Sequence, residues 1–115
     1  MKRIEIRIEG RPYSKQRPRY SSRSRSFYTP TSKKEEIVKE KIKSIYDGDL
    51  ISDDVDVFLS FHFNDKRIGD IDNYEKFILD CLQGTILKND KQIKKLCSQI
   101  IMENDSYTLI RLKIM

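Results

Sequence analysis

Ile4, Ile6 and Ile8 alternate with Arg3, Glu5, Arg7 and Glu9, the period-two pattern of a half-buried strand that Gly10 closes. Residues 11–30 carry no sustained apolar periodicity and predict a long functional loop. Ser32 followed three residues on by Glu35 has the form of a capping box, and Ile37, Val38, Ile42, Ile45 and Tyr46 then recur at helical spacing. That spacing predicts a helix of about four turns ending near Gly48. Val55, Val57, Leu59, Phe61 and Phe63 alternate with Asp56, Phe58, Ser60, His62 and Asn64, giving a second strand with one strongly apolar face. After a polar connection over 64–69, the recurrence of Tyr74, Phe77, Ile78, Cys81 and Leu82 predicts a helix over 72–83 that stops at Gly84. On its opposite edge Asp72, Lys76 and Asp80 line up toward solvent. Residues 88–91 read as a turn, and 93–103 and 107–115 as two strands of a final hairpin joined by Asn104-Asp105-Ser106.

The order β-loop-α-β-α-β-β defines an α/β chain of the α+β type, a small mixed β-sheet with two helices packed on one face. A length of 115 residues suits one domain over 1–115 and excludes a two-domain enzyme. Charges scattered among the first apolar residues leave neither a signal peptide nor a bilayer-spanning run, so a soluble, cytoplasmic protein without a membrane partner is expected. Cys81 and Cys97 lie far apart without a CxxC and read as reduced, ordinary thiols. No Gly-rich phosphate loop or Ser/His/Asp arrangement is evident, and no small organic cofactor is expected. His62, lacking a placed partner, is left out of the candidate site.

Charge adds a direction to this picture. Residues 1–43 hold 14 Lys+Arg and 5 acids, while residues 44–115 hold 9 and 13, so a basic end adjoins an acidic body within a net charge of +5. In the 11–30 loop Arg11, Lys15, Arg17, Arg19, Arg23 and Arg25 are interleaved with Tyr13, Tyr20, Phe27 and Tyr28 and no acid. Cations neutralise phosphates and aromatic rings stack on unpaired bases, so salt-sensitive nucleic-acid binding is the better reading, against a merely solubilising charge run. Six phosphate contacts would give a log–log salt slope of about −5.

Asp70, Asp72 and Asp90 are the acids with catalytic potential. Two stand one residue apart at a helix entrance and the third lies in a turn of a neighbouring connection. Carboxylate oxygens are the ligands Mg²⁺ prefers, completed by water and substrate phosphate. In metal-assisted phosphodiester cleavage the ion orients and activates water and offsets charge on the leaving oxygen. Lys76, one turn beyond Asp72, has the reach to stabilise that charge, and Asp80 to assist from behind. The same residues equally serve as a helix cap, an i,i+4 surface pair and a turn, and spacing alone does not decide between these uses.

Gly10-Arg11-Pro12-Tyr13-Ser14-Lys15-Gln16-Arg17-Pro18-Arg19, then Tyr28-Thr29-Pro30, then Asp70-Ile71-Asp72-Asn73 with Lys76 and Leu79-Asp80, then Asp90-Lys91-Gln92-Ile93 together resemble the RusA family of Holliday junction resolvases. Four separated blocks in the right order make the resemblance specific. It implies a homodimeric, Mg²⁺-dependent endonuclease, with Mn²⁺ as a substitute ion, that cuts four-way DNA junctions by paired symmetric nicks in recombination and repair. It makes Asp70, Asp72 and Asp90 the metal-binding catalytic carboxylates, Lys76 the catalytic lysine, and Lys15, Arg17 and Arg19 DNA contacts, to which the charge pattern adds Arg23 and Arg25. A bacterial or phage source is implied. Asn89 stands where the family often has a further acid, Tyr74 where leucine is usual, and Cys81 where alanine is. The alternative is a non-catalytic structured-DNA or single-strand-binding protein, in which the aspartates are only caps and turns.

Overall fold

The computed structural model describes residues 2–15, 19–21, 26–28 and 32–115. Strand β1 (Lys2–Glu9) is followed by two short strands, β2 (Arg19–Ser21) and β3 (Ser26–Tyr28), then helix α1 (Ser32–Ile45) and strand β4 (Val55–Phe63). Helix α2 (Ile71–Leu82), a 3-10 turn (Asp90–Gln92), β5 (Ile93–Met102) and β6 (Tyr107–Ile114) complete the chain. The main sheet has the order β1-β6-β4-β5, mixed as expected: β6 is antiparallel to β1 and β4, and β5 is parallel to β4.

The alternation read from sequence decides which face is dry. Ile6, Ile8, Val57, Leu59, Phe61, Phe63, Ile110 and Leu112 are buried under the two helices, with Val38 and Ile42 of α1 and Tyr74, Phe77, Ile78, Cys81 and Leu82 of α2. Helix α2 ends where anticipated: Gln83 leaves the helix and Gly84, at φ +81°, takes the left-handed conformation that costs glycine least. In α1 the expected apolar stripe is only half used, since Ile37 and Ile45 remain exposed. That helix stops at Ile45, short of Gly48.

Two expectations are corrected. The last two strands form no hairpin with each other, because β4 lies between them. β4 is apolar enough to be buried on the helix side along its whole length, so it takes the central position and splits the pair. The connection from β5 to β6 therefore crosses the end of β4, where Glu103 N–H donates to the Phe63 carbonyl and Asn64 N–H to Ser106 Oγ. The 11–30 segment, read as one loop, contains the antiparallel pair β2–β3, in register Arg19↔Tyr28. Strands of three residues are too short to show a period in the sequence.

Candidate active site

Helix α2 begins directly after Asp70, whose backbone has the extended N-cap geometry (φ −74°, ψ 135°) while its carboxylate makes no capping hydrogen bond. Asp70 is therefore at the cap position without using its side chain as a cap. One residue inside the helix, Asp72 Oδ2 lies 3.7 Å from Lys76 Nζ, and both side chains are more than half exposed. This is the i,i+4 pair the sequence predicts.

The approach to Asp70 is pinned from two sides. Gly69 N–H donates to the Tyr74 hydroxyl at 2.8 Å, and the Tyr74 ring is buried against Phe61 and Phe63. Arg11 Nη1 donates to both oxygens of Asp65, at 2.7 and 2.6 Å, and Nη2 donates to the Arg67 carbonyl. The guanidinium holds the Asp65 carboxyl below its ordinary range. Arg11, expected among the phosphate-neutralising cations of the loop, instead holds this connection together with Asp65 and the Tyr74 hydroxyl, roles that local spacing did not predict. A tyrosine where leucine is usual was the available signal for the last of these.

The start of the basic segment is docked on the same helix. Lys15 N–H donates to the Asn73 carbonyl at 2.9 Å, next to Asp72, and Lys15 Nζ sits 2.6 Å from Glu35 on α1 and 3.0 Å from Asp80 on α2. The Glu35 hydrogen bond, followed by Asp80, raises the Lys15 pKa above its usual value. Lys15, expected on DNA, thus clasps the two helices together, and Asp80, expected to assist the site, is its partner. Tyr13, expected to stack on bases, packs on Phe77 at 5.5 Å with Lys34 over its ring. Arg19 begins β2, while Arg17, Arg23 and Arg25 lie outside the described residues.

Asp90 is in a different place. It opens the 3-10 turn, held by a capping box: Asn89 Oδ1 accepts from Lys91 N–H and Gln92 Oε1 from Asn89 N–H, each at 2.8 Å. Buried Gln92 fastens the turn by donating to the carbonyls of Ile51 and Asp53. Asn89 fills the cap with a neutral acceptor, as a carboxylate would with a charged one. The turn precedes Ile93, which pairs with Val55 at the start of β4, whereas Asp70 follows Phe63 at its end. The length of α2, about 18 Å for 12 residues, separates Asp72 from Asp90 within one chain. Consistently, no three His, Cys, Asp or Glu side chains among the described residues are grouped to hold a metal ion. The chain brings Asp70, Asp72 and Lys76 together and leaves Asp90 apart.

The donors that are together fit a hard divalent cation. Asp70 and Asp72 offer oxygen only, and the Asp70 carboxylate is not consumed by capping. Mg²⁺ takes one or two protein carboxylates and fills its octahedron with water and phosphate.

A second constellation surrounds His62, which stacks on Tyr107 at 3.9 Å. Ser60 Oγ lies 2.8 Å from Nε2, and Glu103 Oε1 is 2.7 Å from Nδ1, at ion-pair distance but not aligned as a hydrogen bond. The arrangement has the order of a nucleophile, base and acid, but Ser60 is 1% exposed and already accepts from Gln99, so no substrate reaches it.

A mixed α+β domain with two exposed carboxylates and a lysine at a helix entrance, beside the docked end of a strongly basic segment, has the layout of a nuclease domain. The chain belongs to the RusA family: the family model described as Endodeoxyribonuclease RusA matches residues 9–114. No curated protein matches the chain. No helix among the described residues is long and apolar enough to cross a membrane.

Proposed function

We propose that residues 1–115 act as one nuclease domain that resolves four-way DNA junctions by paired symmetric nicks, with Mg²⁺, or Mn²⁺ in its place, as the only cofactor. The observation that supports this most is the docking of Lys15 on the Asn73 carbonyl, which starts the basic segment beside Asp70 and Asp72. DNA backbone captured by that segment is delivered to the carboxylates. Asp70 and Asp72 would hold the ion, and Lys76 would contact the scissile phosphate and hold its developing negative charge. When bound, the ion orients a water, lowers its pKa and offsets charge on the leaving oxygen. Tyr74 and Arg11 fix the backbone that carries the carboxylates, so their geometry is set before substrate arrives.

Asp90 joins this site only if a second copy supplies it, because α2 holds it at the far end of the same chain. A C2 dimer gives that exchange twice, once in each direction, and so presents two sites related by a two-fold axis. A junction presents two scissile strands with the same symmetry. A protein that acts on DNA in this way would work in the cytoplasm, encoded by a bacterium or a phage.

The test is incubation of a labelled synthetic four-way junction in Mg²⁺, beside a linear duplex, a flap and the Asp72→Asn variant. Paired nicks at symmetric positions, lost in the variant, are expected. Tight binding without cutting in either Mg²⁺ or Mn²⁺ would return the aspartates to capping and turn roles and make the protein a binding module.

A further inference from the structure

The sheet face that carries no helix is left unused by this reading. A bulge after Val55 and Ile93 brings β5 into phase with β4, so Lys95 pairs with Asp56 and Cys97 with Phe58. Pairing across four strands then sets the side chains in rows. One row is Arg3, Lys113, Asp56 and Lys95, and the next is Glu5, Arg111, Phe58 and Cys97. These two rows line a cavity of about 470 Å³, within the range of small-ligand sites.

The charges lining it are not balanced. Arg111 is matched, standing 3.1 Å from Glu5 with its guanidinium over the Phe58 ring at 5.6 Å. Among the described residues, Arg3, Lys95 and Lys113 enter no ion pair, although Arg3 and Lys113 are directly opposed in register, where like charges repel. Asp56 enters none either, and so keeps a free acceptor between Lys113 and Lys95. The cavity therefore combines an aromatic wall, an excess of four cations over two acids, and one carboxylate acceptor outside any ion pair.

We infer that this cavity binds one nucleotide, its phosphate held by Arg3 and Lys113 at one end of the row and its base packed against Phe58 with a base N–H donated to Asp56. A bare phosphate would leave the aromatic wall and the acceptor without purpose. A duplex arm offers phosphates but no free base face, so the fitting source is a free nucleotide or an unpaired residue of a single strand. The site lies across the sheet from α2 and is separate from the Asp70–Asp72 site.

Cys97 reports its occupancy. That thiol is exposed at the cavity wall, whereas Cys81 is buried and its thiol is pushed up to about 12 by desolvation, so a neutral alkylating reagent distinguishes them. The intact protein is treated with iodoacetamide in EDTA, and Cys97 modification is followed by mass spectrometry against deoxyadenosine monophosphate, a six-nucleotide single strand or inorganic phosphate. Saturable protection by the nucleotide and the strand, but not by phosphate at equal concentration, is expected. Tighter protection by the strand assigns the site to single-stranded nucleic acid, and equal protection assigns it to free nucleotide. Phe58→Leu should weaken nucleotide protection about five-fold or more, and Arg3→Ala with Lys113→Ala should weaken it similarly while leaving unliganded alkylation of Cys97 in place. Unchanged alkylation with every ligand, protection by phosphate alone, or protection that follows protein concentration instead of nucleotide would overturn the inference. With no divalent ion present, the result does not depend on whether the protein cuts junctions.

Discussion

Tyr74 ties the core to the site through a single oxygen. Its ring is part of the buried cluster, and its hydroxyl accepts the Gly69 N–H immediately before Asp70. Tyr74→Phe keeps the ring and removes the acceptor, so the expected loss is about 1 kcal/mol, or about 4 °C in melting temperature, with a larger proportional loss of nicking because Asp70 is no longer fixed. Calorimetry and junction cleavage read the two effects separately, and unchanged cleavage would show that the bond does not position Asp70. Arg11 and Asp65 make a pH-dependent clamp on the same connection. A carboxyl whose folded pKa is depressed contributes stability above its unfolded value, here 3.8, and loses it as the pH falls through the folded value. The acid limb of thermal stability below that pH should therefore be shallower in Asp65→Asn, and an identical limb would contradict the clamp. The cap position of Asp70 and the i,i+4 pair of Asp72 with Lys76 were legible because a helix start and its spacing coincide within a short stretch of sequence. The contact of Arg11 with Asp65 was not, since it spans 54 positions and the place of Arg11 in the basic run pointed to phosphate instead.

At the scale of elements, local period was sufficient for β1, α1, β4, α2 and β6, because each buries one face and writes that face into its spacing, whereas β5, with no buried residue, was legible only as an apolar-rich run. Partner choice was not readable. β5 and β6 are close in sequence, yet the burial of β4 sets it between them, and this is a property of the whole sheet. The same limit hid the separation of Asp90, since a turn adjoining a helix in sequence can stand at either of its ends in space. The start of the basic segment, residues 11–15, also changes meaning once placed. Arg11 and Lys15 anchor that start to the body, so under the proposed function phosphate contact would fall to Arg17, Arg19, Arg23 and Arg25. Junction affinity measured against salt should then give a log–log slope of about −3.5, where contact by all six cations would give about −5 and a flat profile would exclude backbone binding.

For the whole molecule, the question is whether one chain or two make a site. The fold leaves Asp70 and Asp72 at one end of α2 and Asp90 at the other, so on the function proposed above the three carboxylates would meet across a dimer. The direct measurement mixes two variants, Asp72→Asn and Asp90→Asn, and assays the four-way junction in Mg²⁺ after subunit exchange. Each variant alone has both sites damaged and should not cut. In the mixed dimer one site collects both substitutions and the other collects none, so nicking should return, on one strand of the junction at a time. If every site lay within a single chain, each site of the mixed dimer would still carry one substitution, and the mixture would remain as inactive as its parents.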